Sequence, residues 1–283
     1  PSVSFKASWL DSWVFRAAYN HSITRPTLEQ MAPGVTYTTT RQGGDLRARI
    51  GNAQLLPFEA KNIDLAIEHY YQENSYISAG YFRKTVDNFI VNESSTQTFN
   101  NVTDPSTGTD PNAVDDADAL AQFSVISPSN GESATVEGVE VAVQHLFGES
   151  GWGIQANASF VDSNAELDTA NIRSTFALTG LSGAKNMVLF YEKNALQWRV
   201  GRNQRERVLQ SLNQTQSTEP TFVSPYKQWD MSLSYQFSPR VSVFFEGINI
   251  TNETVHKRGR FSNHLLLVQD AGARYALGVN ITY

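Results

Sequence analysis

The chain has 283 residues, 40% of them apolar and only 18% charged, with a formal net charge of −6. A soluble domain carries about 25% charged residues, and the negative balance argues against a nucleic-acid partner. Mean hydropathy is −0.35, no run approaches the ~20 apolar residues of a membrane helix, and the lack of cysteine excludes disulfides, zinc–thiolate centres and a cysteine nucleophile. The chain opens on Pro1-Ser2-Val3 and runs straight into a strand pattern with no signal peptide, as a mature or partial product would.

Period-two alternation dominates, and it puts alternate side chains on opposite faces of a strand. In chain order, strands are predicted near 3–9, 13–20, 62–71, 75–90, 133–147, 152–163, 186–193, 195–207, 226–237, 240–250 and 273–283. These are about eleven strands of roughly 8–12 residues, the length a tilted strand needs to cross a bilayer. Ile63, Leu65 and Ile67 alternate with Asp64, Ala66 and Glu68; Val139, Val141 and Val143 alternate with Glu140, Ala142 and Gln144. Trp152 to Phe160, Trp229 to Phe237 and Tyr275 to Tyr283 repeat the pattern, with Gly, Ser, Asn and Gln on the polar side.

The connections alternate short and long. Tight ones lie at Leu10-Asp11-Ser12, Gln72-Glu73-Asn74, Gly148 to Gly151, Glu192 to Ala195 and Ser238-Pro239; long ones span about 21–61, 91–132, 164–185, 208–225 and 251–272. Outer-membrane barrels put tight turns at the periplasmic end and long loops outside, so the fold class expected is all-β, a transmembrane antiparallel barrel. Phe147, Trp152, Trp229, Phe237, Phe244, Phe245 and Tyr283 sit near strand ends, where aromatic girdles meet lipid headgroups. A soluble lectin-like sandwich is the bland alternative, and it leaves the loop asymmetry unexplained. An odd strand count does not close a bacterial single-chain barrel, and bare edges in lipid are costly; either the count is off by one or further strands lie beyond this chain, and the abrupt start favours the second.

Several segments, weak singly, form an ordered set. They are Gly51-Asn52 to Leu56-Pro57; Glu59-Ala60-Lys61-Asn62-Ile63-Asp64-Leu65 with Glu68-His69-Tyr70-Tyr71; Gly80-Tyr81-Phe82-Arg83-Lys84 with Asp87-Asn88-Phe89-Ile90; Glu137-Gly138-Val139-Glu140; Asn249-Ile250-Thr251-Asn252-Glu253; and Arg274-Tyr275 to Tyr283. Together they resemble the late barrel strands of TonB-dependent outer-membrane receptors. The segment Leu178-Thr179-Gly180-Leu181-Ser182 followed by Asn186 to Lys193 resembles a proteobacterial subgroup linked to carbohydrate uptake. The resemblance implies the C-terminal half, about eleven strands, of a 22-stranded barrel whose plug domain is absent from this chain. It further implies a Gram-negative outer-membrane location, TonB-ExbB-ExbD acting through the missing N-terminal region and its TonB box, and the barrel assembly machinery as a partner. Tyr275, Leu277, Val279, Ile281 and Tyr283 would be the assembly signal. The implied function is active import of a scarce small-molecule ligand, an oligosaccharide first and a siderophore second; the rival is a passive barrel such as a porin, adhesin or phage receptor.

No catalytic constellation stands out. His21, His69, His145, His256 and His264 lack ligand spacing, and nucleophile-elbow and phosphate-loop motifs are absent. An enzyme is therefore not expected, nor a cofactor. Acidic residues Asp104, Asp110, Asp115, Asp116 and Asp118 crowd one outer loop; Asp115, Asp116 and Asp118 are candidate ligands for a structural Ca²⁺, a cation that takes oxygen ligands. Arg199, Arg205 and Arg207 fall on one strand face opposite Trp198 and Val200, and with Glu68 and Glu140 are expected to line the lumen. Loop residues Tyr37, Phe99, Asn100, Phe123, Asn171 and Phe176 are candidates for ligand contact, with Asn101 and Phe222 beside them. Lys257, Arg258 and Arg260 are candidates to meet lipopolysaccharide phosphates.

Overall fold

The computed structural model describes residues 1–37, 46–104, 107, 109, 118–170, 177–212 and 219–282. The first strands are β1 (Ser2–Trp9) and β2 (Trp13–Thr24), followed by the short helix α1 (Leu28–Met31), β3 (Val35–Tyr37) and β4 (Arg47–Ile50). Next come β5 (Phe58–Gln72), β6 (Ser75–Asp87), β7 (Ile90–Thr103), β8 (Leu120–Asn130), β9 (Ala134–Leu146) and β10 (Trp152–Ser163). The remainder is β11 (Ala184–Lys193), β12 (Leu196–Arg205), β13 (Val208–Ser211), β14 (Thr221–Val223), β15 (Tyr226–Ser238), β16 (Val241–Ile248), β17 (Val255–Arg258), β18 (Leu265–Gln269) and β19 (Arg274–Ile281). Two compact units emerge: Pro1–Asn20, Lys61–Thr85 and Thr135–Tyr283 form one, His21–Ala60 and Val86–Ala134 the other.

The first unit is built on an 11-stranded sheet in the order β1-β2-β5-β6-β9-β10-β11-β12-β15-β16-β19. These are the eleven strands the alternation predicts, and successive members join through the tight and long connections in turn. Most left-handed positions in the tight turns fall to residues that tolerate such a backbone, namely Asp11 (φ 53), Asn74 (φ 55), Gly148 (φ 57) and Asn194 (φ 57), with Leu10 (φ 51) the exception. At this end the apolar face carries a run of rings. Trp13 stacks on His69 at 4.1 Å, Tyr71 lies 5.8 Å from His145, His145 meets Phe147 at 4.7 Å, and Trp152 touches both Tyr191 (5.1 Å) and Trp198 (5.7 Å). The tight-turn end of the sheet thus carries a belt of rings in which histidines take part as well as Trp, Tyr and Phe.

Register keeps the two faces apart across the sheet. On one face Val143, Ala156, Met187, Arg202 and Trp229 are successive cross-strand partners. The other face carries Ala142, Asn157, Asn186 and Asn203. There Asn186 Nδ2 donates to Asn157 Oδ1 (2.9 Å) and Gln155 Nε2 donates to Gln144 Oε1 (2.8 Å), a hydrogen-bonded wall. Aromatic rings on this polar face lie over glycines of the neighbouring strand: Phe82 over Gly138, Phe190 over Gly153 and Phe244 over Gly278, each where a Cβ would overlap the ring. Glycine there lets the ring cover an otherwise bare stretch of backbone. Phe244 is accordingly no girdle residue: it pairs with Ser234 and Gly278 on the polar face, and its neighbour Phe245 faces Leu233 and Leu277 instead.

The second unit has its own 4-stranded sheet, order β3-β4-β8-β7, in which β4 and β8 run parallel. Its core is conventional: Ala48, Ala121, Phe123 and Val125 are buried, with Leu46, Ile50, Phe99 and Val102 packed against them. The helix α1 opens with a capping box, in which Thr27 and Gln30 satisfy each other's backbone N–H.

Candidate ligand site

Clefts in the first unit gather polar groups around open space. One, of about 380 Å³, lies on the polar face of the sheet, lined by Glu68, Ser78, Glu140, Asn157, Ser159 and Asn186 among others. Strand alternation puts these side chains on one face, as the sequence predicts. Glu68 is held from beside the cleft: Arg16 Nε donates to Oε1 (2.8 Å), and the Tyr70 hydroxyl donates to Oε2 (2.9 Å). Further along the same face Arg199 lies 3.5 Å from Glu192 and over the Phe190 ring at 6.0 Å. Arg205 closes β12 opposite Ala184 and Tyr226.

A second cleft, about 400 Å³, opens where β10, β11 and β12 end. Asp162, Ser163, Glu166, Ser182, Glu206 and Arg207 supply its polar lining; Leu178, Leu181, Leu209 and Phe222 supply apolar walls. Arg207 was expected on the same strand face as Arg199 and Arg205. The strand stops at Arg205, and the chain leaves through Glu206 into β13, carrying Arg207 off the sheet. Its guanidinium lies over the Phe222 ring at 3.9 Å from the centroid, the planar stacking that arginine favours. Glu206 faces Lys185 at 3.1 Å, and the Ser182 hydroxyl donates to the Glu206 carbonyl at 3.1 Å.

Phe222 is itself held by a second 4-stranded sheet, order β13-β14-β17-β18, which the alternation pattern did not reveal. Its strands are only 3–5 residues long, too short for periodicity to register. A carboxylate clasp fastens it. Glu219, its side chain 13% exposed, accepts from the Arg260 backbone N–H (2.8 Å) and lies 3.3 Å from the Arg260 guanidinium and 3.2 Å from His264 Nδ1. Gly259 leaves room for this approach; a Cβ there would overlap Glu219 Oε1 and the His264 ring. At the end of β16, buried Asn249 (φ 54) donates to the Glu253 and Gly272 carbonyls and accepts from the Glu253 N–H. The Asn249-Ile250-Thr251-Asn252-Glu253 motif therefore works as a side-chain lock on the last long connection.

The family model for TonB dependent receptor-like β-barrels matches residues 1–250. The chain belongs to that family. Among solved structures, the receptor resembles the siderophore receptor PirA of Acinetobacter baumannii (TM-score 0.67, 17% identity, 100% of this chain and 41% of that one). It also resembles the ferric enterobactin receptor PfeA of Pseudomonas aeruginosa (0.64, 15%, 100% and 40%) and PirA of Pseudomonas aeruginosa (0.59, 17%, 100% and 42%). Identities this low show the shared fold. A search of curated protein sequences finds no match. The receptor chain spans about two fifths of the length of the solved relatives it matches.

The remaining sequence candidates scatter in the receptor. Phe123 is fully buried, with Tyr37 5.7 Å and Phe99 5.2 Å away, so these three rings pack the second unit, and Phe123 presents no surface to a ligand. Asn100 is exposed on β7. Asn171 and Phe176 lie outside the described residues, as do Asp110, Asp115, Asp116 and Tyr283, while Asp118 precedes β8. Among the described residues no three acidic or histidine side chains gather as a metal site. Tyr275, Leu277, Val279 and Ile281 share the apolar face of β19, each with at least half of its surface exposed. Two of the proteins named above are siderophore receptors and one is a ferric enterobactin receptor, and the comparisons lend no support to the carbohydrate subgroup.

Proposed function

We propose that the receptor containing this chain imports an anionic iron chelate of the siderophore type across the Gram-negative outer membrane, driven through TonB. The outer membrane has no proton gradient or ATP of its own, so uptake against a gradient needs an inner-membrane motor, with TonB-ExbB-ExbD as partners. The family supports the transport reading, and the solved relatives described as siderophore receptors support the ligand class over an oligosaccharide. One observation carries the ligand chemistry: Arg207, stacked on Phe222 at the wall of the 400 Å³ cleft, has no carboxylate partner among the described residues. A fixed, unpaired guanidinium backed by a ring suits a planar anionic donor group.

The test uses cells in which the full-length receptor is the sole uptake route, with radiolabelled ferric enterobactin as probe. Arg207→Ala is expected to weaken binding about tenfold, the loss of one charge-assisted contact, without lowering receptor abundance. Uptake that survives collapse of the proton-motive force would replace the importer by a passive barrel. Saturable uptake of a neutral oligosaccharide, with no chelate uptake, would restore the carbohydrate reading.

A further inference from the structure

The clasp on Glu219 reaches the ligand cleft through a short, stiff path. Glu219 stands three residues before Phe222, and Pro220, which follows it, is fully buried. Proline fixes its own backbone torsion, so displacing Glu219 displaces the start of β14 with it. β14 is three residues long and joins β17 through two residue pairs, Phe222 with Arg258 and Val223 with Lys257. On its other side Val223 pairs with Val208 and Phe222 with Leu209, and a register shift follows directly. Each cross-strand pair stabilises a sheet only slightly, so contacts beyond this short ladder decide where β14 sits.

Phe222 carries that placement into the cleft. Its cross-strand partner is Leu209, and Arg207, two residues earlier, is its diagonal neighbour. Diagonal neighbours lie about 7–8 Å apart at the backbone, within reach of a long side chain. The guanidinium closes the gap, 3.9 Å from the Phe222 ring centroid, and Arg207, Leu209 and Phe222 all line the 400 Å³ cleft. The Gly180 N–H donates to the Leu209 carbonyl (2.8 Å), fastening β13 to the segment that supplies Leu178 and Leu181. At the far end Arg260 and His264 hold the Glu219 carboxylate from the turn between β17 and β18, just past the Arg258 that pairs with Phe222. That turn is itself tied: Arg258 donates to the Ser262 carbonyl (2.6 Å) and the Gly259 N–H to the His264 carbonyl (2.8 Å).

We infer that Glu219 is a positioning residue for the ligand: through Phe222 it sets where the Arg207 guanidinium stands in the cleft. The inference rests on the ligand reading above and deepens it. Glu219 is not among the residues that line the cleft, so it acts through its neighbours. A mostly buried carboxylate gives up hydration that its partners only offset, so such a cluster adds little stability over apolar packing. What it fixes is geometry. A guanidinium meets a planar anion through parallel hydrogen bonds, which need a defined orientation. The clasp supplies that orientation from outside the cleft, with the Phe222 ring as the platform.

The experiment measures binding of radiolabelled ferric enterobactin to the purified full-length receptor as wild type, Glu219→Gln, Arg207→Ala and the double variant. Glu219→Gln should weaken binding about fivefold, the worth of one well-placed hydrogen bond, while the maximal uptake rate in cells holds. Added to Arg207→Ala, the same change should cost less than about twofold, the tolerance of additivity. A fivefold loss that persists without Arg207, or a lower maximal rate at unchanged affinity, overturns the inference. A second readout needs no ligand. The reagent p-hydroxyphenylglyoxal labels accessible guanidinium groups, and peptide mass spectrometry locates the label. Glu219→Gln should raise labelling of Arg207 and leave Arg199, on the large sheet, unchanged. Equal labelling of Arg207 in wild type and variant overturns the inference. Should Glu219→Gln assemble poorly, His264→Ala, with its side chain 47% exposed, gives the same readouts. A wild-type receptor that binds no ferric enterobactin would remove that ligand reading, and the labelling of Arg207 would still decide the role of Glu219.

Discussion

The two compact units solve opposite problems with the same element. In the 11-stranded sheet the large apolar side chains are displayed: Leu277 is 76% exposed, Val3 68% and Phe5 63%. In the second unit they are hidden, down to 0% for Phe123. The first arrangement leaves its apolar side chains to be covered by lipid, with backbone polarity satisfied by strand pairing. The second withdraws apolar area from water by packing it on itself. Substitutions should therefore fail for different reasons in the two regions.

The largest effect is expected at Phe123→Ala. Emptying a fully buried ring costs about 3–5 kcal/mol, enough to unfold the small core around Ala48, Ala121 and Val125. Hydrogen exchange should show protection lost in β4, β7 and β8 and kept in β10 to β16. Loss spread over both units would mean that the division into two cores is wrong.

Next comes the face test in β19. Leu277→Arg puts a charge on the apolar face, which costs about 2–4 kcal/mol at mid-bilayer. Asn280→Arg adds the same charge beside Ser242 on the polar face and should be milder. Folding yield into liposomes, read by heat-modifiable gel mobility, separates the two; equal damage from both would contradict a lipid-facing surface.

A smaller, local effect is expected at Glu219→Gln. The variant leaves Arg260 and His264 with a neutral partner, a change worth about 1–3 kcal/mol at a mostly buried site. Increased exchange confined to β14, β17 and β18, with an unchanged barrel, would sharpen the contrast between long paired strands and clasped short ones. No change in exchange would mean that apolar packing, not the clasp, holds that sheet.

How much was legible follows the apolar–polar alternation of each strand, not its length alone: β7 and β8 are long and are not predicted. Every strand of the large sheet announces itself through alternation, because eight or more residues give four or more repeats of a strict period. Tight turns are equally readable: Asn74, Asn194 and Gly148 stand where a left-handed backbone is needed. The short strands β3, β4, β13, β14, β17 and β18 give no such signal; the long strands β7 and β8 lie where the sequence predicts only a long connection over about 91–132, and the parallel pairing of β4 with β8 depends on residues far apart in sequence. Among the site residues, Glu68 and Glu140 follow from parity alone. Arg207 does not, since parity holds only while the strand continues, and the strand ends two residues earlier.

The sequence by itself determined the fold class, the eleven strands, the alternation of short and long connections, and which side chains share a face. These are local properties, set by a period of two and by turn chemistry. Tertiary structure alone decided that Phe123 packs a core, that Arg207 meets Phe222, and that Glu219 clasps Arg260 and His264. Each of these depends on register between segments distant in the chain. Register is fixed by the sum of many cross-strand contacts, which no single stretch of sequence displays.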